Sequence, residues 1–252
     1  MKGKIGRLTL AAMRSVRAAV IVLAGVTLTN AAAAQSASDW SGVWIAEGLA
    51  TDVSGFLPPG ARFYKLYGIN APWNEEGRVR LEAMLADQDT RKADGWGFPM
   101  MMDSSAALQF LVTPEQMLII NVYRDVRHIY TDGRELPAPE NRWPTTWGES
   151  VGRWEDDGTL VIETVAVRDP PRYFFSSPPL SDQAVYVERM RMTAPDRIES
   201  VMTVTDPVTL AEPWVTELAY VPLPGLDRLI HDDYANDRSE VDGATFTIAP
   251  PR

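Results

Sequence analysis

The chain has no cysteine and only two histidines among its 252 residues. A protein without cysteine forms no disulfide bonds, so its stability must come from an ordinary hydrophobic core. The same absence excludes metal sites built on thiolates, and two histidines are too few for a histidine-rich zinc site. Only a site that combines histidine with carboxylates remains conceivable. We therefore predict no metal and no cofactor.

Long hydrophobic runs are absent beyond the N-terminus. The first 34 residues hold five basic residues and no acidic one, then an apolar run from Ala18 to Leu28 and a small-residue stretch ending at Ala34. This pattern is typical of a secretory signal peptide. An uncleaved membrane anchor is the alternative, but the run is shorter than the ~20 apolar residues that a span needs. We expect a periplasmic or secreted protein, with one mature domain over residues 35–252 and no membrane insertion after cleavage.

Positive charge is also scarce. Lys and Arg number 24 against 34 acidic residues, a net charge of −10, and removal of the five basic signal residues makes it 19 − 34 = −15. Phosphate backbones and anionic lipid surfaces repel such a protein. We expect no nucleic-acid partner.

Signatures of common catalytic machinery are missing as well. The sequence has no G-x-S-x-G elbow, phosphate-binding loop, dinucleotide-binding fingerprint, H-E-x-x-H helix or calcium-binding loop. Nucleotide and flavin chemistry are therefore not expected.

What the chain does contain is a succession of β-strand patterns. Met117 to Val167 holds four apolar runs separated by turns, and its last two runs predict a hairpin around Asp156-Asp157-Gly158. One helix is predicted after Asn74, a suitable N-cap, and runs to about residue 89. Its apolar side would comprise Val79, Leu81, Met84 and Leu85. Further strands are predicted at 107–113, 117–124, 126–130, 183–192, 197–205 and 213–221, before an acidic, partly ordered tail.

Eight or more strands with one early helix and no βαβ alternation predict an all-β fold, a single antiparallel barrel with long loops. A barrel of about this size has room inside for one small ligand. The Gly42-Val43-Trp44 segment resembles the start of lipocalin-like barrels, where the tryptophan closes one end.

Two longer segments resemble a family of exported bacterial proteins, most of them hypothetical. They are Arg127–Arg134, similar to R-x-I-Y-x-D-G-R, and Gly148–Glu155, similar to G-x-S-[IV]-G-R-W-E. Later pieces of the family pattern, S-[DE] with E-R and D-P with P-W, are similar to Ser181-Asp182 with Glu188-Arg189, and to Asp206-Pro207 with Pro213-Trp214. The resemblance implies a lipocalin-like barrel and little about function. Two positions depart from the pattern: Leu180 stands where members usually carry histidine, and Asn121 stands where they commonly carry glutamate.

Four residues are candidates for acid–base catalysis. His128 and Tyr130 lie two apart on one predicted strand, so both project from the same face, and imidazole titrates near neutral pH. Glu188 would act as a general base if it and Arg153 point inward as a pair. The alternative is that His128 is an ordinary core or surface histidine and that the charges form ion pairs outside the barrel.

Aromatic residues and one acid are candidates for ligand binding, with core packing as the alternative for the tryptophans. They are Trp44, Tyr123, Trp147, Asp182 and Trp214. We expect a cofactor-independent enzyme of the lyase, isomerase or hydratase type that acts on a small apolar or aromatic molecule. A non-catalytic periplasmic carrier of such a molecule is the alternative, and a structural envelope protein is a weaker third hypothesis.

Overall fold

The computed structural model describes most of the chain after the N-terminal region. The described residues are 40–49, 64–86, 96–123, 125–169, 178–223, 225–226, 228–229, 238–241 and 244–247. The predicted signal peptide and the second histidine, His231, lie outside them.

The described chain forms a closed barrel of nine strands, one α-helix and a separate hairpin. The elements are β1 (Gly42–Ala46), α1 (Glu75–Ala86), β2 (Leu108–Val112), β3 (Gln116–Asn121), β4 (Val126–Tyr130), β5 (Glu149–Trp154), β6 (Leu160–Val165), β7 (Val185–Ala194), β8 (Arg197–Thr205), β9 (Trp214–Pro222), β10 (Arg238–Val241) and β11 (Ala244–Thr247). The predicted all-β barrel with one early helix is confirmed, and it is compatible with a lipocalin-like barrel. The hairpin of β10 and β11 gives part of the predicted tail a regular backbone.

One seam departs from the predicted antiparallel order. β4 and β5 are parallel, with Ile129 opposite Ser150 and Tyr130 opposite Val151, while the other eight seams are antiparallel. Because nine is odd, directions cannot alternate at every seam of a closed ring, so one pair has to be parallel. The chain returns to the starting end of the barrel through residues 131–148, here called the crossover segment, whose prolines prevent a further central strand.

Inward-facing side chains and an inserted segment fill the barrel. Strands β7 and β8 alternate between buried and exposed residues along most of their length, as expected when one face of the sheet lines the interior and the other faces solvent. Residues 96–105, here called the plug, enter this interior. Met100, Met101 and Met102 of the plug are fully buried, and the inward-facing Tyr220 donates a hydrogen bond to the carbonyl oxygen of Met102 at 3.0 Å. The chain itself thus fills part of the interior that the sequence assigned to a ligand.

Helix α1 begins where the sequence predicts. The Asn74 side chain accepts a hydrogen bond from the Gly77 amide at 2.9 Å and so caps the helix. Gly77 is buried, and a β-carbon there would lie 2.2 Å from the Thr209 carbonyl oxygen. Because this close backbone contact sets how the helix lies, Val79 and Leu85 are 59% and 37% exposed, and the predicted apolar side is only partly buried. No helix among the described residues has the length and hydrophobicity needed to cross a membrane.

Candidate acid–base site inside the barrel

A fully buried ion pair crosses the barrel interior. Arg127 on β4 and Glu188 on β7 both have 0% side-chain exposure. Arg127 Nη1 donates to Glu188 Oε1 at 3.2 Å, and Arg127 Nη2 donates to Oε2 in a second, shorter hydrogen bond. This two-pronged geometry matches the planar guanidinium to the carboxylate, which strengthens each hydrogen bond and fixes both side chains.

Strand alternation explains why these two charges lie inside. On β4, Arg127 shares its inward phase with Ile129, and both are fully buried. On β7, Glu188 lies between the buried Tyr186 and Met190. The apolar neighbours therefore determine which face is inside, and each charged residue is carried inward with them.

Two hydroxyl groups and an aromatic ring complete the site. Arg127 Nη2 also donates to Thr164 Oγ1 at 2.9 Å, and Thr164 is hydrogen-bonded to Ser150 at 2.8 Å. The guanidinium carbon of Arg127 lies 4.1 Å from the centre of the Phe98 ring, which belongs to the plug. We call Arg127, Glu188, Thr164, Ser150 and Phe98 the lumen site. It places a carboxylate, a cation and hydroxyl groups in a water-excluded, aromatic environment, a combination suited to proton transfer.

Two buried polar atoms inside the barrel have no hydrogen-bond partner among the described residues. They are Arg127 Nε and Ser200 Oγ, the latter on an inward-facing position of β8. A buried donor without a partner costs stability of the order of 1–3 kcal/mol. The interior therefore holds hydrogen-bonding capacity that the protein itself does not use.

The predicted catalytic residues are not brought together. Glu188 points inward, but His128 and Tyr130 lie on the outer face of β4, with their rings stacked 6.1 Å apart and Arg134 over the Tyr130 ring. His128 and Tyr130 share one face of the strand, and it is the outer face, because the phase that buries Ile129 turns these two residues outward. Arg153 is exposed on the outer face of β5, so the partner of Glu188 is Arg127 instead.

The predicted ligand-binding residues are also dispersed. Trp44 is buried and donates to the Trp40 carbonyl at 2.9 Å, while Trp214 lies against Trp73 with ring centres 6.3 Å apart. Tyr123 is half-buried beside Trp96, and Asp182 is exposed. Trp147 is half-buried with its indole nitrogen close to Asp125, although no hydrogen bond of ordinary geometry joins them. None of these residues hydrogen-bonds to or stacks on Arg127 or Glu188 in the described structure.

Asp206 explains part of the family-like pattern in structural terms. Its carboxylate accepts hydrogen bonds from the Ser181 amide and hydroxyl, both at 2.7 Å, and from Thr209 and the Val208 amide. Burial by itself would raise the pKa of Asp206, but these hydrogen bonds outweigh it and lower the pKa below the ordinary value. Ser181 and Asp206 thus join the start of β7 to the turn after β8.

Asp125 anchors the plug to the barrel. It accepts hydrogen bonds from the Trp96 amide and from the Asn121 side chain, each at 2.7 Å. Burial raises the pKa of Asp125, and these hydrogen bonds oppose that rise. Asn121, one departure from the family pattern, is therefore a donor to a buried acid, a role that an ionised glutamate cannot fill. Leu180, the other departure, is buried in the core and offers no group for proton transfer.

Sequence reasoning missed Arg127, Ser150, Thr164 and Phe98. The signal for Arg127 was its phase with Ile129, since the apolar member of an alternating pair marks the buried face. Thr164 and Phe98 carry no comparable signal, because their contacts are made between segments far apart in the chain. Within the described ranges, no three His, Asp or Glu side chains lie together as a metal-ligand set. A search against models of known protein families finds no match, and no curated protein matches the chain significantly.

Proposed function

We propose that this protein is an exported, cofactor-independent enzyme of the lyase, isomerase or hydratase type, with Glu188 of the lumen site as general base. Its substrate would be a small apolar or aromatic molecule. The observation that carries the proposal is the fully buried Arg127–Glu188 pair among aromatic side chains. The acidic composition and the signal-like N-terminus support a periplasmic or secreted location without nucleic-acid or membrane partners.

The buried Arg127–Glu188 ion pair is not expected to add much stability by itself. Desolvating two charges costs several kcal/mol per ion, and apolar residues of similar volume often stabilise a core as well or better. Buried charges inside a cavity-forming fold are instead common where an enzyme needs proton transfer or electrostatic stabilisation. We also propose membership of the exported lipocalin-like family that the motifs resemble. Arg127 begins the R-x-I-Y pattern and Glu188 belongs to the later E-R pattern, and the two meet at this site.

The chemistry follows from the two groups. Glu188 would take a proton from a carbon or hydroxyl of the substrate and return it to the product or leaving group. Arg127 would then donate hydrogen bonds, including one from its free Nε, to the oxygen on which negative charge develops. Because Phe98 covers the guanidinium, substrate binding requires the plug to move aside. An aromatic substrate ring can take the place that Phe98 leaves, so the guanidinium keeps a π partner.

A non-catalytic carrier is the second candidate. It is favoured by the aromatic and methionine side chains around the pair, which suit a hydrophobic ligand that is held and released unchanged. In that case the Arg127–Glu188 pair would orient a polar group of the ligand and take no proton from it.

One experiment separates the two candidates. Wild type and Glu188→Gln would each be incubated with mixtures of small aromatic and other apolar compounds. Mass spectrometry would then identify the free compounds and those that the protein retains through gel filtration. The enzyme proposal expects consumption by the wild type, lowered by roughly a hundredfold to ten-thousandfold in Glu188→Gln, with retention maintained. Retention by both proteins without consumption by either would favour the carrier, and neither consumption nor retention would contradict both.

A further inference from the structure

We propose that a groove on the outside of the barrel binds an extended peptide in which an acidic and a basic side chain are two residues apart. The groove lies between the crossover segment and the outer face of β5, β6 and β7, and has a volume of about 1160 Å³. We call it the outer groove. It is independent of the lumen site, because the valines, Arg153 and Glu163 that its strands contribute project from the outer face of the barrel.

The wall formed by the crossover segment is held in place by its own contacts. Arg134 forms an ion pair with Asp132 at 2.6 Å and stacks on the Tyr130 ring, with 3.8 Å between the guanidinium carbon and the ring centre. Arg142 Nε donates to the Pro137 carbonyl at 3.1 Å. A wall fixed by such contacts loses little conformational entropy when a ligand binds.

The floor of the outer groove is an apolar sheet surface. Val151, Val161 and Val187 line it from three adjacent strands, and Val187 is 36% exposed. The crossover segment adds Leu136 from the opposite wall. Alternate side chains of an extended peptide would pack against this floor.

Among the strand residues that line the outer groove, two opposite charges are not paired. Arg153 and Glu163 are both exposed, and neither has an ion pair or hydrogen bond among the described residues. Elsewhere on the same outer face, charges do pair, as Arg189 does with Glu155 at 2.6 Å. On β5, β6 and β7, the outward-facing charges without a partner therefore lie in the groove.

The spacing of these charges selects the ligand. Arg153 is opposite Val161, and Glu163 is opposite Val151, so the two charges are diagonal neighbours on adjacent strands. Diagonal neighbours lie roughly 7–8 Å apart, close to the ~6.8 Å that separates side chains i and i+2 of an extended peptide. A simple anion would meet repulsion from Glu163, and a simple cation would meet repulsion from Arg153.

Fluorescence anisotropy with labelled pentapeptides tests the proposal. The three probes have serine at positions 2 and 4, valine at position 5, and Asp and Lys, two Asp, or two Lys at positions 1 and 3, so that the charged side chains and the valine project from the same face of the extended peptide. The wild type is expected to bind the mixed-charge peptide more tightly than either like-charge peptide. Arg153→Glu and Glu163→Lys should each weaken binding of the mixed peptide about threefold to tenfold. Arg191→Glu is the matched control, on the same outer face but outside the groove, and should leave binding unchanged.

The double variant Arg153→Glu/Glu163→Lys tests whether charge pairing determines binding. It restores one charge of each sign, so the mixed peptide should bind again in the reversed chain direction. Circular dichroism checks that each surface variant is folded. The proposal is overturned if no pentapeptide binds, if the three peptides bind equally, or if Arg191→Glu weakens binding as much as Arg153→Glu.

Discussion

Replacing the buried ion pair by methionines should separate its contribution to stability from its contribution to function. Glu188 accepts hydrogen bonds only from Arg127 among the described residues, so Arg127→Met leaves a bare buried carboxylate. Arg127 would keep Thr164 and the Phe98 ring when Glu188 is lost. Breaking a buried pair costs about 3–5 kcal/mol. We expect the loss in the free energy of unfolding to be near the upper end of this range for Arg127→Met and near the lower end for Glu188→Met.

The double variant Arg127→Met/Glu188→Met should behave differently from either single variant. It removes both charges and fills their space with apolar atoms, and such replacements are often neutral or stabilising by about 1–4 kcal/mol. Urea denaturation followed by tryptophan fluorescence gives the free energy of unfolding of all four proteins at one pH. A double variant that loses as much stability as the two single variants together would refute the reasoning, because the pair would then be two independent structural contributions.

Three further predictions concern residues outside the lumen site. Gly77→Ala should lower the free energy of unfolding by about 1–3 kcal/mol, because the new β-carbon would lie 2.2 Å from the Thr209 carbonyl oxygen. Gly133→Ala is the control: no atom lies within 4 Å of its new β-carbon, so this variant tests only the cost of the positive-φ backbone. Asp206→Asn should cost about 2 kcal/mol at pH 7. The pKa of Asp206 is lowered in the folded state, so its stabilisation is present above the ordinary value of 3.8 and lost as the pH falls through the folded value; denaturation at pH 7 and pH 3 should show the Asn variant approaching the wild type in acid. His128→Ala should leave both the free energy of unfolding and any turnover unchanged, because His128 is exposed on the outer face. A large loss of turnover at unchanged stability would mean that the active site lies outside the barrel, at His128.

The strands were predictable from the sequence because the alternation of apolar residues is a local property. The eight strands β2 to β9 correspond to predicted ones, β1 begins at the Gly42-Val43-Trp44 segment that resembles a barrel start, and Asn74 caps the helix as expected. The parallel seam was not predicted, because local patterns do not count strands around a closed ring. Pro137 and Pro139 indicate that no central strand forms there. They do not indicate that the chain returns to the starting end of the barrel in this segment.

The candidate site was only partly predictable. Glu188 was identified as a possible interior base, but its partner lies 61 positions earlier in the chain and no local pattern connects the two. The sequence did not decide which face of β4 lines the interior, because His128 and Tyr130 suggested chemistry on one face and Ile129 alone indicated that the other face is buried. The plug was not predicted either, because a run of three methionines between Pro99 and Asp103 has no period that indicates a segment inside a barrel.

The most direct test of the central claim is the rate of substrate conversion by the Arg127→Met/Glu188→Met variant, measured with the compound that the wild type consumes. The variant should be folded, with a free energy of unfolding at least close to that of the wild type, and its conversion rate should be lower by at least about a hundredfold. A folded double variant that converts the compound at the wild-type rate would contradict the account, because the buried pair would then have no part in the chemistry.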